Sequence, residues 1–196
     1  MKLDKKKTLS LLLLTTVATF AFSCTSNEIS NSAAPVELIA SNIQELQLID
    51  LAGDPAGAAD KDCDKDIGKI QLQTRLKNPV GENQSFNDVK VTRYRVTYVR
   101  TDGGTVVPAS FVRSIDLLLT PGAPTTLGSF LVIQPDALIQ APFAALRRNG
   151  RDAETQRPFV RLDVIMDFFG ETLAGASVQG RTRFSLDFCF NCGGCN

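Results

Sequence analysis

Between residues 158 and 190 the chain alternates apolar and polar side chains twice over, and few folds accept such a stretch. Val160, Leu162, Val164, Met166 and Phe168 stand in one phase, with Arg161, Asp163, Ile165 and Asp167 in the other. Successive side chains of extended backbone point to opposite sides, so a period of two means a strand with one face in a core and one largely in water. After the glycine-flanked segment 169–175, Val178, Thr182, Phe184, Leu186, Phe188 and Phe190 resume the inward phase. Gln179, Arg181, Arg183, Ser185 and Asp187 fill the outward one, where Cys189 also falls. The pattern predicts a long antiparallel hairpin. Its favoured register sets Arg161 opposite Asp187, Asp167 opposite Arg181, and Phe168 over Gly180. That pairs opposite charges and covers a bare strand glycine with an aromatic ring.

Upstream, the same period recurs in shorter pieces. A first strand is expected within residues 36–51, with Leu46 and Leu48 inward against Glu45 and Gln47. Ile70, Leu72, Thr74 and Leu76 mark a second, stopped by Pro79, which cannot donate to a ladder. Residues 89–101 form a longer strand containing Tyr94, Val96 and Tyr98, with a phase slip between Val91 and Tyr94 that predicts a bulge. Asp102-Gly103-Gly104 signals a hairpin turn, residues 105–108 a short edge piece, and Ile115, Leu117 and Leu119 the next strand. Pro121-Gly122-Ala123-Pro124 turns the chain back into residues 127–133. The helical candidate is 135–146, with Ile139, Phe143 and Leu146 on one face and Pro142 limiting its length. Residues 147–152 then read as an exposed basic loop. The expected core includes Leu72, Leu76, Val96, Ile115, Leu117, Val164, Met166, Phe184, Leu186 and Phe188.

These elements predict an all-β chain: an Ig-like antiparallel β-sandwich of about seven or eight strands, with one short helical turn before the penultimate strand. Phe86-Asn87-Asp88-Val89 leading into Arg93 to Tyr98, and Phe168-Phe169-Gly170-Glu171 with Gly175, carry a looser likeness. With its leader, the chain resembles bacterial exported lipoproteins bearing one Ig-like or fibronectin-III-like domain. The resemblance implies fold and location and brings no functional residues.

The N-terminus reads as an address. Lys2, Lys5, Lys6 and Lys7 precede an apolar run over 9–22 that is short for a membrane span. Ala21-Phe22-Ser23-Cys24 then resembles a bacterial lipobox, which implies cleavage after residue 23 and lipidation of Cys24. Ordinary signal cleavage, with Cys24 a bystander, is the alternative. Thr25 resembles the pattern that permits sorting to an outer membrane or cell surface. Residues 24–35 are polar, small and end in Pro35, which suits a flexible tether, and 36–196 form the expected domain.

In a chain of 196 residues, the balance of 21 basic and 21 acidic side chains argues against a nucleic-acid partner, which demands a concentrated basic surface. The absence of His removes the usual general base and triad base, so a non-catalytic role without cofactors is expected. The expected partners are the membrane, through the lipid, and another envelope protein or a surface glycan. Two constellations support a rival metal-binding or redox reading. Asp60, Asp62, Asp64 and Asp66 alternate like the front half of a calcium loop, but Lys65 stands where the turn wants Gly and Gln71 where a bidentate Glu would close the cage. Cys63, Cys189, Cys192 and Cys195 make an even four once Cys24 is lipidated. Disulfides suit an exported chain, with Cys63 tied to the C-terminal cluster and the other two paired locally. Zn or Fe–S ligation and a redox-active C-x-x-C are the alternatives. Arg147, Arg148, Arg151 and Arg157 offer an anion site against a solvated loop. Tyr94 and Tyr98 offer a ligand platform against strand packing. Asp163 and Asp167 offer a carboxylate pair against cross-strand ion pairing with arginine.

Overall fold

Alternation over residues 158–190 builds the hairpin that anchors the molecule. The computed structural model describes residues 33–42, 47–52, 69–78, 84–123 and 125–192. In it β7 (Phe159–Thr172) and β8 (Ser177–Cys189) pair antiparallel, with Arg161 opposite Asp187, Asp167 opposite Arg181 and Phe168 opposite Gly180. Gly175, at φ 85°, supplies the left-handed residue of the turn. The space above Gly180 is filled from the facing sheet, by Leu38, rather than by Phe168 alone.

Among the described residues the strands form two sheets. β1 (Val36–Asn42), β3 (Lys69–Leu76) and β6 (Thr125–Ser129) make a three-stranded antiparallel sheet in the order β1-β3-β6. The five-stranded sheet runs β2-β8-β7-β4-β5, with β2 at Gln47–Asp50, β4 at Val89–Arg100 and β5 at Phe111–Leu119. The first strand expected within 36–51 is therefore two. β1 pairs antiparallel with β3, and β2 pairs parallel with β8 in the other sheet. That exchange inverts the expected phase: Leu48 is 43% exposed and Ile49 packs against the core. The bulge falls where the phase slip put it, between Val91 and Arg93, in both ladders of β4.

The inner faces of both sheets share one apolar core. Leu38, Ile70 and Leu72 meet Val96, Val164, Met166, Phe168 and Phe188, all buried. Leu76, Ile115, Leu117 and Phe184 are only partly buried, at its margin. Burying a Phe or Leu side chain stabilises by about 1.5–3 kcal/mol, so this cluster dominates the favourable side of folding. The helical candidate resolves into a 3-10 turn, Pro135–Ile139, and a short helix α1, Phe143–Asn149. Phe143 and Leu146 are buried as expected, but Ile139 is 59% exposed because the 3-10 turn breaks the helical phase. Gly150, at φ 67°, closes α1 by donating its N–H to the Leu146 carbonyl at 2.8 Å. Arg147 and Arg148 thus belong to the last turn of a helix and not to a basic loop.

Candidate functional site

Strand alternation pushes every second residue of β4, β7 and β8 onto the outer face of the five-stranded sheet. There the carboxylates lie low and the guanidiniums lie over them. Asp167 accepts from Arg95 at 2.8 Å and from Arg181 at 2.6 Å, Asp187 accepts from Arg161 at 2.6 Å, and Asp163 accepts from Arg183 Nε at 2.8 Å and from Ser185. These Asp side chains are between 1% and 13% exposed, whereas the Arg side chains are between 43% and 58% exposed. Burial alone pushes the Asp167 carboxyl up, but the hydrogen bonds and charges of Arg181 and Arg95 outweigh it and hold it below the usual range. Asp163 and Asp167 are therefore supports for arginine, as the cross-strand reading expected, and do not form an acid–base pair. Arg93 and Arg95 stack on Phe169 at 5.2 and 5.6 Å, and Arg157 and Arg161 on Phe159 at 5.8 and 5.7 Å. The result is a guanidinium strip running the length of β7.

A second charged cluster is buried, and no sequence motif marks it. The alternation of β4 that buries Val96 and Tyr98 brings Arg100 into the inward phase as well. Its guanidinium donates to Asp102 at 2.7 and 2.8 Å, to Asp152 at 3.0 Å and to Glu154 at 3.3 Å. The Arg100, Asp102 and Asp152 side chains are at most 1% exposed. Burial raises the Asp102 carboxyl, but Arg100 and the backbone N–H groups of Arg161 and Gly104 bring it down to about 2. Asp152 is also lowered: burial opposes, and the donors Arg100 and Thr155 prevail. Glu154 accepts from the Thr105 hydroxyl and from the N–H groups of Thr105 and Val106, so residues 105–108 are strapped to it and form no edge strand. Asp102, which reads as a turn residue in the sequence, is a buried partner. The legible signal was the phase: an arginine following Tyr94, Val96 and Tyr98 in the inward register.

Cys189 and Cys192 form a disulfide. Cys189 keeps the outward phase but is buried, its Sγ lying 3.6 Å from the Ile49 carbonyl of β2. Asp50 accepts the N–H groups of Asn191 and Cys192, each at 2.9 Å, and pins residues 191 and 192 to β2. Bonded sulfurs are not thiolate ligands, so this bond withdraws two members from the four-sulfur set that Zn or a cluster would need. No family model, no curated protein and no solved structure matches the chain. Geometry must carry the functional reading.

Cys24, Cys63, Cys195, Asp60, Asp62, Asp64 and Asp66 lie outside the described residues. Among the described residues no group of three or more His, Cys, Asp or Glu is placed to hold a metal ion, and no helix is long and apolar enough to cross a membrane. The Arg147, Arg148, Arg151 and Arg157 set does not gather on one point. Arg151 donates to the Gln156 carbonyl at 2.9 Å, Arg157 covers Phe159, and Arg148 borders an open hollow of about 220 Å³ between α1 and Glu154. That volume lies below the usual range of small-molecule sites. Tyr94 and Tyr98 are buried and donate to the Leu131 and Val132 carbonyls at 3.2 and 2.7 Å, which makes them packing residues.

Proposed function

We propose that this chain is a lipid-anchored cell-envelope protein, held by Cys24, whose immunoglobulin-like sandwich acts as a non-catalytic binding module. One observation carries the reading: the outer face of the five-stranded sheet presents half-exposed guanidiniums on buried carboxylates. An arginine spread over a buried Asp is pre-ordered, so little side-chain entropy is lost when it meets a partner. The same pairing lowers the Asp167 carboxyl, the opposite of what general-acid work at neutral pH requires. The sandwich topology is supported by the chain switching sheets between β1 and β2, which ties the first strand to both sheets. The anchor is supported by the lysine-rich leader ending at Cys24. A redox role for Cys189 and Cys192 is disfavoured by the Asp50 carboxylate on the Cys192 N–H, since a neighbouring negative charge opposes a thiolate.

The exported full-length chain carrying Cys24→Ala tests both halves. It should incorporate no labelled acyl chain and be released from membranes by a salt wash without detergent, and once purified it should rebind to isolated envelopes at low salt. Arg181→Glu with Arg183→Glu should abolish that rebinding. Rebinding unaffected by the charge reversal, or turnover of ester, glycoside or peptide substrates, defeats the proposal.

A further inference from the structure

The guanidinium strip has a grain, and the grain selects a kind of ligand. On the outward phase of β4, β7 and β8 and the turn beside them stand Arg93, Arg95, Arg157, Arg161, Arg181 and Arg183, six guanidiniums. Asp163, Asp167, Asp187, Glu171 and, at the β2 edge, Asp50 oppose them; Asp50 is occupied by the Asn191 and Cys192 N–H groups, and of these five Glu171 is the exposed one. Lys90 and Asp116 cancel each other at the margin, 3.4 Å apart. The accessible chemistry is therefore cationic although the whole chain is neutral.

Strand geometry sets the spacing. Arg93 and Arg95, like Arg181 and Arg183, are two residues apart on one strand, about 7 Å, and Arg95 and Arg181 flank Asp167 across two strand gaps, about 10 Å. From Arg161 to Phe169 the strip runs roughly 27 Å. On the outer face of a twisted sheet the guanidiniums follow one another along the strands and do not converge on one point. This arrangement suits a ligand that repeats its negative charges along an extended chain. β7, the middle of the strip, is paired along its length by β4 and β8, so a partner cannot add a strand there and must be read through side chains. The groups between the guanidiniums decide the class. Register places Thr97 beside Ile165 and Arg183, Ser185 beside Asp163, and Gln179 beside Phe169 and Arg93. Ser185 donates to Asp163 and Gln179 to Asp167, which turns the Ser185 oxygen and the Gln179 carbonyl outward as acceptors between the guanidiniums, a match for a polyol that carries acidic groups at intervals.

Resting on the binding reading above, we infer that this face binds an extended anionic polysaccharide bearing carboxylate or sulfate groups. The pairing with aspartate uses two of the five N–H donors on Arg95 and on Arg161, so a ligand oxygen is met by a donor already oriented.

The test uses the full exported chain with Cys24→Ala and size-defined oligomers of polygalacturonate and dextran sulfate. Neutral dextran, poly-glutamate, single-stranded DNA and phosphatidylglycerol vesicles serve as comparisons. Calorimetry should show affinity that rises with oligomer length and falls steeply with added salt. Arg181→Gln with Arg183→Gln should weaken it by at least about tenfold. Because that pair of changes relieves buried aspartates of partners, a second variant guards against misfolding. Arg93→Gln with Arg157→Gln leaves Asp163, Asp167 and Asp187 paired and should still cost several-fold while melting is unchanged. Equal binding of neutral dextran overturns the inference, as do binding of the peptide, DNA or vesicles in preference to both polysaccharides and indifference of the folded arginine variants. If envelope rebinding depends on Arg181 and Arg183 but neither polysaccharide binds, the binding role stands and this ligand class falls. If rebinding fails as well, both fall.

Discussion

At Gly180 a single hydrogen sets how closely the two sheets approach. A Cβ built there would lie 2.8 Å from the Leu38 carbonyl oxygen and 2.9 Å from its Cγ. The side chain can rotate away, but the carbonyl belongs to β1 and cannot move without the strand. Gly180→Ala is thus expected to destabilise by about 1–3 kcal/mol through overpacking, despite the better strand propensity of alanine. Val112→Ala, at a site 59% exposed, should stay within about 0.5 kcal/mol. Urea midpoints compare them; a Gly180→Ala protein as stable as wild type would mean the sheets do not pack this closely. The register was legible because Phe168 and the Arg–Asp pairs are local to one hairpin. The reason for the glycine was not, because Leu38 arrives from more than 130 residues away along the chain.

At the scale of elements, the 101–110 connection and the 151–157 turn are bound to β4 through Arg100. Asp102 and Asp152 are lowered in the folded state, so their ionised forms stabilise it. That contribution is present above the ordinary carboxylate range and is lost as pH falls through the folded value, about 2 for Asp102. The Asp102 shift alone corresponds to about 2 kcal/mol at neutral pH. Wild-type urea midpoints should therefore drop between pH 4 and pH 2, with Asp167 adding in the same direction. Arg100→Gln leaves two buried carboxylates without their cation and should cost about 3–5 kcal/mol at neutral pH. Burial then pushes those carboxyls up, so acidification should flatten or reverse the slope. Parallel slopes for the two proteins would show that Arg100 does not hold the cluster. The Asp102-Gly103-Gly104 turn signal predicts a returning edge piece over residues 105–108. Glu154 takes the backbone N–H groups of Thr105 and Val106, which a ladder would otherwise need.

For the whole molecule, cysteine arithmetic and the sheets meet at one end. Cys189 is bonded to Cys192, and Leu51 donates its N–H to the Cys189 carbonyl at 2.8 Å. Under the proposal that Cys24 carries the anchor, Cys63 and Cys195 remain, and unreduced peptide mapping should recover them as one linked pair. Closing a loop of about 130 residues would add roughly 4–5 kcal/mol in the chain-entropy model. A free Cys63 thiol in exported protein would refute the pairing. What the sequence by itself determined was the all-β class, the faces of the long strands, the register of β7 with β8, the bulge in β4 and the Arg–Asp pairs across them. Each follows from a period of two or from residues a few positions either side of one turn. The tertiary structure alone decided that residues 36–50 serve two sheets, that Leu48 faces out, that Ile139 leaves the core and that Arg100 is buried among Asp102, Asp152 and Glu154. Those outcomes depend on which distant backbone occupies the neighbouring position, and alternation records only which way a side chain points, never what it meets there.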